Sequence, residues 1–142
     1  MSDIAQNVAD RIAVQDVMLK YAAGVDERDM ALYASCFADD VEVVGFGEET
    51  IHGGDAWRAY VENALERFGA TQHMLGPQLA TIDGDNASCR TDVQALHYMK
   101  DQPDTTLTLW ATYKTNMRRI NGEWKIVRHE LASRGTKIDP AP

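Results

Sequence analysis

Four histidines are the side chains of this sequence best placed to move protons near neutral pH, because an unperturbed imidazole titrates at about 6.5. One of them, His73, stands in Thr71-Gln72-His73-Met74-Leu75-Gly76, at the start of an apolar segment and just after a helical pattern that closes at Phe68-Gly69-Ala70. An imidazole can take a proton from carbon and return it, provided that a carboxylate holds one ring nitrogen, fixes the tautomer and stabilises the imidazolium that forms. Candidate partners lie far away in sequence: Asp26 at the end of the first helical stretch, Tyr21 about a turn and a half before it, and His97 on a later strand. His73, Asp26, His97 and Tyr21 form the candidate catalytic set, in which Tyr21 or His97 would donate a hydrogen bond to a carbonyl or protonate a leaving group.

Each of these residues also has a plainer use. An inward histidine on an apolar strand is commonly a satisfied core residue, Asp26 beside Glu27-Arg28-Asp29 could be a helix-end charge or a cap, and Tyr21 on an apolar helix face suits core packing. No pair among His52, His73, His97 and His129 has local metal-ligand spacing, so no metal is expected. Gly45, Gly47, Gly53 and Gly54 lack both the Gly-Lys-Ser/Thr of a phosphate loop and the spacing of a dinucleotide fingerprint, and no cofactor is expected. Cys36 and Cys89 sit near no recognisable base and read as small buried hydrophobes.

The elements that would position these side chains follow from periodicity. From Ile4 to Val25 apolar residues recur at helical spacing, and Asp29 can cap a short second helix that stops at Phe37-Ala38-Asp39-Asp40. Val41-Glu42-Val43-Val44 is a short strand, and Asp55 can cap a third helix over Ala56–Phe68. Strands are then expected over 72–82, 86–100, 105–118 and 123–134, with turns at Asp83-Gly84-Asp85, at Asp101-Gln102-Pro103-Asp104 and at Asn121-Gly122, the last a strong hairpin signal. Helices followed by antiparallel strands make the fold class α+β.

Alternation along each strand assigns the inward side chains. Ala87, Cys89, Val93, Ala95, His97 and Met99 share one face, and Leu107, Leu109, Ala111, Tyr113 and Met117 share another, so His97 and Tyr113 are expected inside. In the last strand Val127, His129 and Leu131 alternate with Ile126, Arg128 and Glu130 without a clear distinction of faces, leaving His129 a pocket candidate only. Trp57, Trp110 and Trp124 suit the core or a subunit contact, and Trp110 is also a candidate for the pocket wall. Residues 138–142 look like a loose tail.

The chain's 142 residues fit a single domain, 1–142, and its composition, 44% apolar and 25% charged, is that of an ordinary globular protein. No apolar run approaches the roughly 20 residues needed to span a bilayer, and Met1–Gln6 has no basic or apolar signal region, so a cytoplasmic location without membrane partners is expected. A net charge of −8 with dispersed basic residues argues against nucleic acid.

Several segments resemble a known family. Tyr21-Ala22-Ala23-Gly24-Val25-Asp26-Glu27-Arg28-Asp29, Cys36-Phe37-Ala38-Asp39-Asp40, Ile82-Asp83-Gly84-Asp85 and Asn121-Gly122-Glu123-Trp124-Lys125-Ile126, taken with the order of elements, resemble the SnoaL-like branch of the nuclear-transport-factor-two-like superfamily over nearly the whole length. The resemblance implies a cone: a curved antiparallel sheet packed against three N-terminal helices. The pattern is similar to that of scytalone dehydratase, whose aspartate, Thr-Gln-His segment and second histidine fall on Asp26, Thr71-Gln72-His73 and His97. Hexachlorocyclohexane dehydrochlorinase and bile-acid 7α-dehydratase are similar in an aspartate and histidine falling on Asp26 and His73, and the latter in a tyrosine falling on Tyr21. The two tyrosines that scytalone dehydratase uses on substrate and water fall on Val25 and Gly45, while the dehydrochlorinase's pocket lysine and arginine fall on Tyr21 and His129. Val25 thus joins Tyr113, His129 and Trp110 as a candidate pocket residue. The resemblance implies a cofactor-independent lyase eliminating from a small apolar cyclic or aromatic molecule, self-associated as a homodimer or homotrimer. An isomerase using the same proton abstraction, a non-catalytic small-molecule-binding module and an oxygenase subunit are the other activities the family spans.

Overall fold

Val14, Val17, Met18, Tyr21, Ala22 and Val25 recur three and four residues apart, and burying that stripe winds Asp3–Asp26 into a single helix, α1. The computed structural model describes residues 3–142; Met1 and Ser2 lie outside the described residues. The second helix, α2 (Met30–Ser35), starts where the Asp29 carboxylate accepts the Leu32 N–H at 3.0 Å, the cap anticipated from sequence. α1 and α2 meet closely at Gly24, where a Cβ would lie 2.8 Å from the Tyr33 nitrogen.

Strand β1 (Phe37–Val44) begins immediately afterwards, four residues before the Val41 start expected from composition, because Phe37 and Ala38 are buried against the helices. A short β2 (Ile51–His52) and helix α3 follow. α3 spans Gly54–Leu65 rather than Ala56–Phe68: its N-cap is Gly53, with no side-chain cap, Asp55 lies inside the first turn, and Phe68 belongs to the next strand. The single strand predicted over 72–82 is two, β3 (Phe68–Leu75) and β4 (Leu79–Asp83), separated at Gly76-Pro77-Gln78. Proline has no N–H for a central ladder, and Gly76 turns instead to bond the Asp92 carbonyl at 2.8 Å. Long strands β5 (Asn86–Met99), β6 (Thr105–Ile120) and β7 (Glu123–Pro140) complete the chain, and the C-terminal segment predicted as a loose tail is paired to Pro140.

The result is a mixed α+β fold, a curved, unclosed seven-stranded sheet with order β2-β1-β7-β6-β5-β3 and β4 paired to β5, packed against the helices. One edge departs from the expected antiparallel pattern: β1 runs parallel to β7. That connection is possible because the whole sheet separates the two strands in sequence. No described helix is long and apolar enough to cross a membrane.

The concave face is filled by aromatic rings. Tyr21, Tyr33, Phe37, Trp57, Tyr113 and His129 pack with centroid separations between 4.8 and 6.5 Å, and Phe46 from the β1–β2 loop covers them, 4.8 Å from Trp57. Phe46 gets there because Gly45 adopts φ +91°, a conformation that L-residues disfavour, and because a Cβ at this position would stand 2.4 Å from the Leu131 carbonyl oxygen. Gly45→Ala is expected to cost at least about 2 kcal/mol, combining left-handed strain with the clash. Urea denaturation monitored by tryptophan fluorescence measures it, and a change within 0.5 kcal/mol, roughly the effect of an ordinary surface substitution, would mean that the loop re-routes freely.

Candidate functional site

Strand parity decides what can face α1. Phe68 pairs with Met99 and Thr71 with His97, so one extra residue lies between them in β3. Such a bulge re-aims the side chains beyond it. Phe68, Thr71, His73 and Leu75 therefore all turn toward the interior, whereas strict alternation from Phe68 would have sent Thr71 and His73 out.

α1 ends opposite this segment, and its last residue meets it. The Asp26 carboxylate accepts three hydrogen bonds from β3: His73 Nδ1 at 2.8 Å and Thr71 Oγ1 at 3.0 Å on Oδ1, and the His73 backbone N–H at 2.7 Å on Oδ2. Partial burial by itself would raise the Asp26 pKa, but the donors and the imidazole outweigh it and hold the carboxyl below its ordinary value. Asp26 is thus ionised at neutral pH, and His73 carries its hydrogen on Nδ1. In the neutral ring this puts the lone pair on His73 Nε2, which has no hydrogen-bond partner among the described residues. The side chains are 20% and 9% exposed, so the pair is reachable from solvent yet largely sheltered.

His97 is the second imidazole here. Its Nδ1 donates to the Leu107 carbonyl at 3.0 Å, and its ring stands edge-on to His73, 5.7 Å between centroids and 81° between planes. Burial, chiefly, lowers its pKa, against the opposing pull of the Leu107 carbonyl. His97 is therefore neutral at pH 7, and its Nε2 is a hydrogen-bond acceptor with no proton to give. Phe68 packs against it at a tilt, 4.6 Å between centroids and 41° between planes.

The remaining candidates divide differently from what the sequence suggests. Tyr21 makes its hydrogen bond to a different histidine from His73: it is 2% exposed, and its hydroxyl pairs with His129 Nε2 at 3.0 Å. His129 is fully buried, with Nδ1 3.1 Å from Thr115 Oγ1, and with Tyr113 and Val25 it belongs to solid core rather than to the wall of an open space. The faces of β7 are indistinct in sequence because Val127 is a bulge: Met117 pairs with Ile126 and Asn116 with Arg128, which puts both Ile126 and His129 inside. Trp110 corrects the pocket assignment most plainly. It lies on the opposite face of β6 from Tyr113, 39% exposed, and borders an outer groove of about 550 Å³ with Met74, Gln94 and Arg134. His52 is exposed on β2, and both cysteines are buried and free, their thiols pushed up to about 11 by burial.

Two contributors escape a search for acid-base residue types. Thr71 serves Asp26 through its hydroxyl, and Arg28 reaches Thr71 Oγ1 at 2.9 Å. Thr71 is signalled by its same-face spacing of two before His73 and by its place in the Thr71-Gln72-His73 segment of the resemblance, and Arg28 only by its place in the segment around Asp26, with neither pointing to a role.

A curved, unclosed sheet packed against N-terminal helices is the cone fold of the nuclear-transport-factor-two-like superfamily. The chain belongs to the SnoaL-like domain family, whose profile matches residues 6–130. Among solved structures it is similar to a candidate scytalone dehydratase from Novosphingobium aromaticivorans, at 23% identity over 94% of this chain and 90% of that one, with a TM-score of 0.87. It is similar to hexachlorocyclohexane dehydrochlorinase type 3 from Novosphingobium barchaimii, at 24% identity over 97% and 94%, TM-score 0.85. A candidate aromatic-ring hydroxylase from Novosphingobium aromaticivorans is similar at 26% identity over 94% of each chain, TM-score 0.83. No curated protein matches the sequence.

The buried His129 generates a stability test. Burial lowers its pKa to about 3, whereas in an unfolded chain an imidazole titrates near 6.5. Between those values the unfolded state binds the additional proton, so stability is present above about pH 6.5 and is lost as pH falls, at about 1.4 kcal/mol per pH unit. His129→Gln keeps polar groups toward Tyr21 and Thr115 without titrating, and is expected to flatten this part of the curve. Urea midpoints at pH 7, 6, 5 and 4 check it; parallel curves for the two proteins would show that His129 is not the titrating group.

Proposed function

We propose that the protein is a cofactor-independent lyase that carries out β-elimination on a small apolar cyclic or aromatic substrate, with His73 as the base and Asp26 as its partner. The observation that carries this is the Asp26–His73 pair: an ionised carboxylate on Nδ1, an unpartnered Nε2, and 9% side-chain exposure at His73. Similarity to proteins named as dehydratase and dehydrochlorinase adds support. Apolar substrate is favoured by Phe68, Leu75, Leu107 and Leu109, which share the inward side with the two imidazoles.

His73 Nε2 takes a proton from carbon, the C–H electrons form the new double bond, and the leaving group departs with its own pair. Asp26 stabilises the resulting imidazolium, an interaction that strengthens as charge develops. If hydroxide leaves, it needs a proton. His97 has none on Nε2 at neutral pH and the Tyr21 hydroxyl is engaged with His129, so the imidazolium of His73 returns the proton itself and water departs from the same face. His97 Nε2 then accepts a hydrogen bond from a substrate hydroxyl and orients it. A halide would leave unassisted, and His73 would release its proton to solvent.

The same economy of donors favours isomerisation as the second reading: a single base that takes a proton from one carbon can return it to another. Cyclic β-hydroxyketones and halogenated cyclohexanes form the panel that separates the outcomes. Elimination shows as loss of water or halide, and isomerisation as deuterium uptake from D2O without loss of a group. His73→Ala and Asp26→Asn are each expected to reduce turnover by about a hundredfold to ten-thousandfold while ligand binding, followed by calorimetry, survives. A protein that binds panel members with affinity altered by these substitutions, but turns over none of them, is a binding module.

A further inference from the structure

α1 ends in a backbone arrangement that ordinarily calls for glycine. Asp29 N bonds the Gly24 carbonyl at 2.8 Å and Arg28 N the Val25 carbonyl at 3.2 Å, the paired bonds of a Schellman turn, with Arg28 in the left-handed position at φ +58°. A large side chain held there is strained, and glycine or asparagine would close the helix with less cost. What arginine adds is its guanidinium. That group donates to Val25 O at 2.7 Å on its own helix and crosses to β3, donating to Gly69 O at 2.5 Å and to Thr71 Oγ1 at 2.9 Å. Gly69 belongs to the bulge that turns Thr71 and His73 inward.

We propose that Arg28 is a positioning residue for the Asp26–His73 pair, acting through Thr71. Because the Thr71 oxygen accepts from Arg28, its own proton is directed at Asp26 Oδ1, the same oxygen that receives His73 Nδ1–H. The carboxylate's charge is thereby shared among donors instead of falling wholly on the imidazole, and the bulge carrying those donors is pinned to the helix end. The charged and titratable groups around His73 are Asp26 and Arg28 from the end of α1 and His97 from β5, and Tyr113 from β6 lies near enough to Asp26 to feel its charge. As a statement about catalysis this rests on the lyase reading; as a statement about the titration of His73 it does not.

The test is an NMR titration of the His73 ring in wild type, Arg28→Gly, Thr71→Val and the double variant, with thermal melts alongside. Arg28→Gly relieves the strained turn but removes both the Thr71 anchor and a nearby positive charge. Both losses favour the imidazolium, so the His73 midpoint is expected to move up by roughly half a pH unit or more. Thr71→Val leaves the helix end intact and is expected to move it the same way, with the double variant showing less than the sum, because the two residues act through one link. His73 curves that overlay in wild type and Arg28→Gly overturn the proposal and leave Arg28 a helix stop only; so do shifts that add fully in the double variant. Arg28→Lys, which keeps the charge but not the fork, is expected to leave part of the shift, and complete restoration of the wild-type curve would overturn the role of the Thr71 anchor. None of these readouts requires turnover, so inactivity of His73→Ala, or its absence, bears on the lyase reading alone.

Discussion

One carboxylate fixes the relation between the helical layer and the sheet edge. Asp26 is the last residue of α1, and its side chain accepts three hydrogen bonds from two residues of β3. Hydrogen bonds to charged groups contribute about 1.5–3 kcal/mol each, and a half-buried carboxylate deprived of them would carry its desolvation cost unrelieved. The helix end and the strand therefore hold each other in place, and whatever His73 does, it does from a ring whose tautomer and orientation this contact determines.

The interior of the sheet is divided by composition. Toward β1 and β7 it is closed by stacked rings, with His129, Tyr21 and Thr115 satisfying one another in a region without solvent access. Toward β3 and the ends of β5 and β6 it is less fully packed, and there His73 and His97 present bare nitrogens among leucines. A histidine buried for the sake of packing and two-sided hydrogen bonding differs from one whose second nitrogen is free. His129 is of the first kind, and His73 and His97 are of the second. The distinction lies in partners, since all three are inward residues on apolar strands.

Bulges are what make this division possible. The one in β3 brings Thr71 and His73 onto the concave side, and the one at Val127 restores His129 to the core after Ile126. Each inserts one residue and reverses the parity of everything beyond it. The first lies at Gly69-Ala70, and its Gly69 carbonyl is held by Arg28.

Much of the scaffold could be read directly from the chain. Helical spacing over α1, the Asp29 cap, the Asn121-Gly122 hairpin and the alternation of β5 are local signals, and local signals survive folding because burying one face of a helix or strand demands them. Asp26 and His73 stood out by residue type, though only a resemblance joined them across the intervening chain. Tertiary structure alone decided their bond, the neutral acceptor role of His97, the burial of Tyr21 and His129, and the outward turn of Trp110. The physical reason is the same in each case. Bulge positions, long-range hydrogen-bond partners and the facing of a strand depend on pairing between segments distant in sequence, and no periodicity within a segment records the register its neighbour imposes.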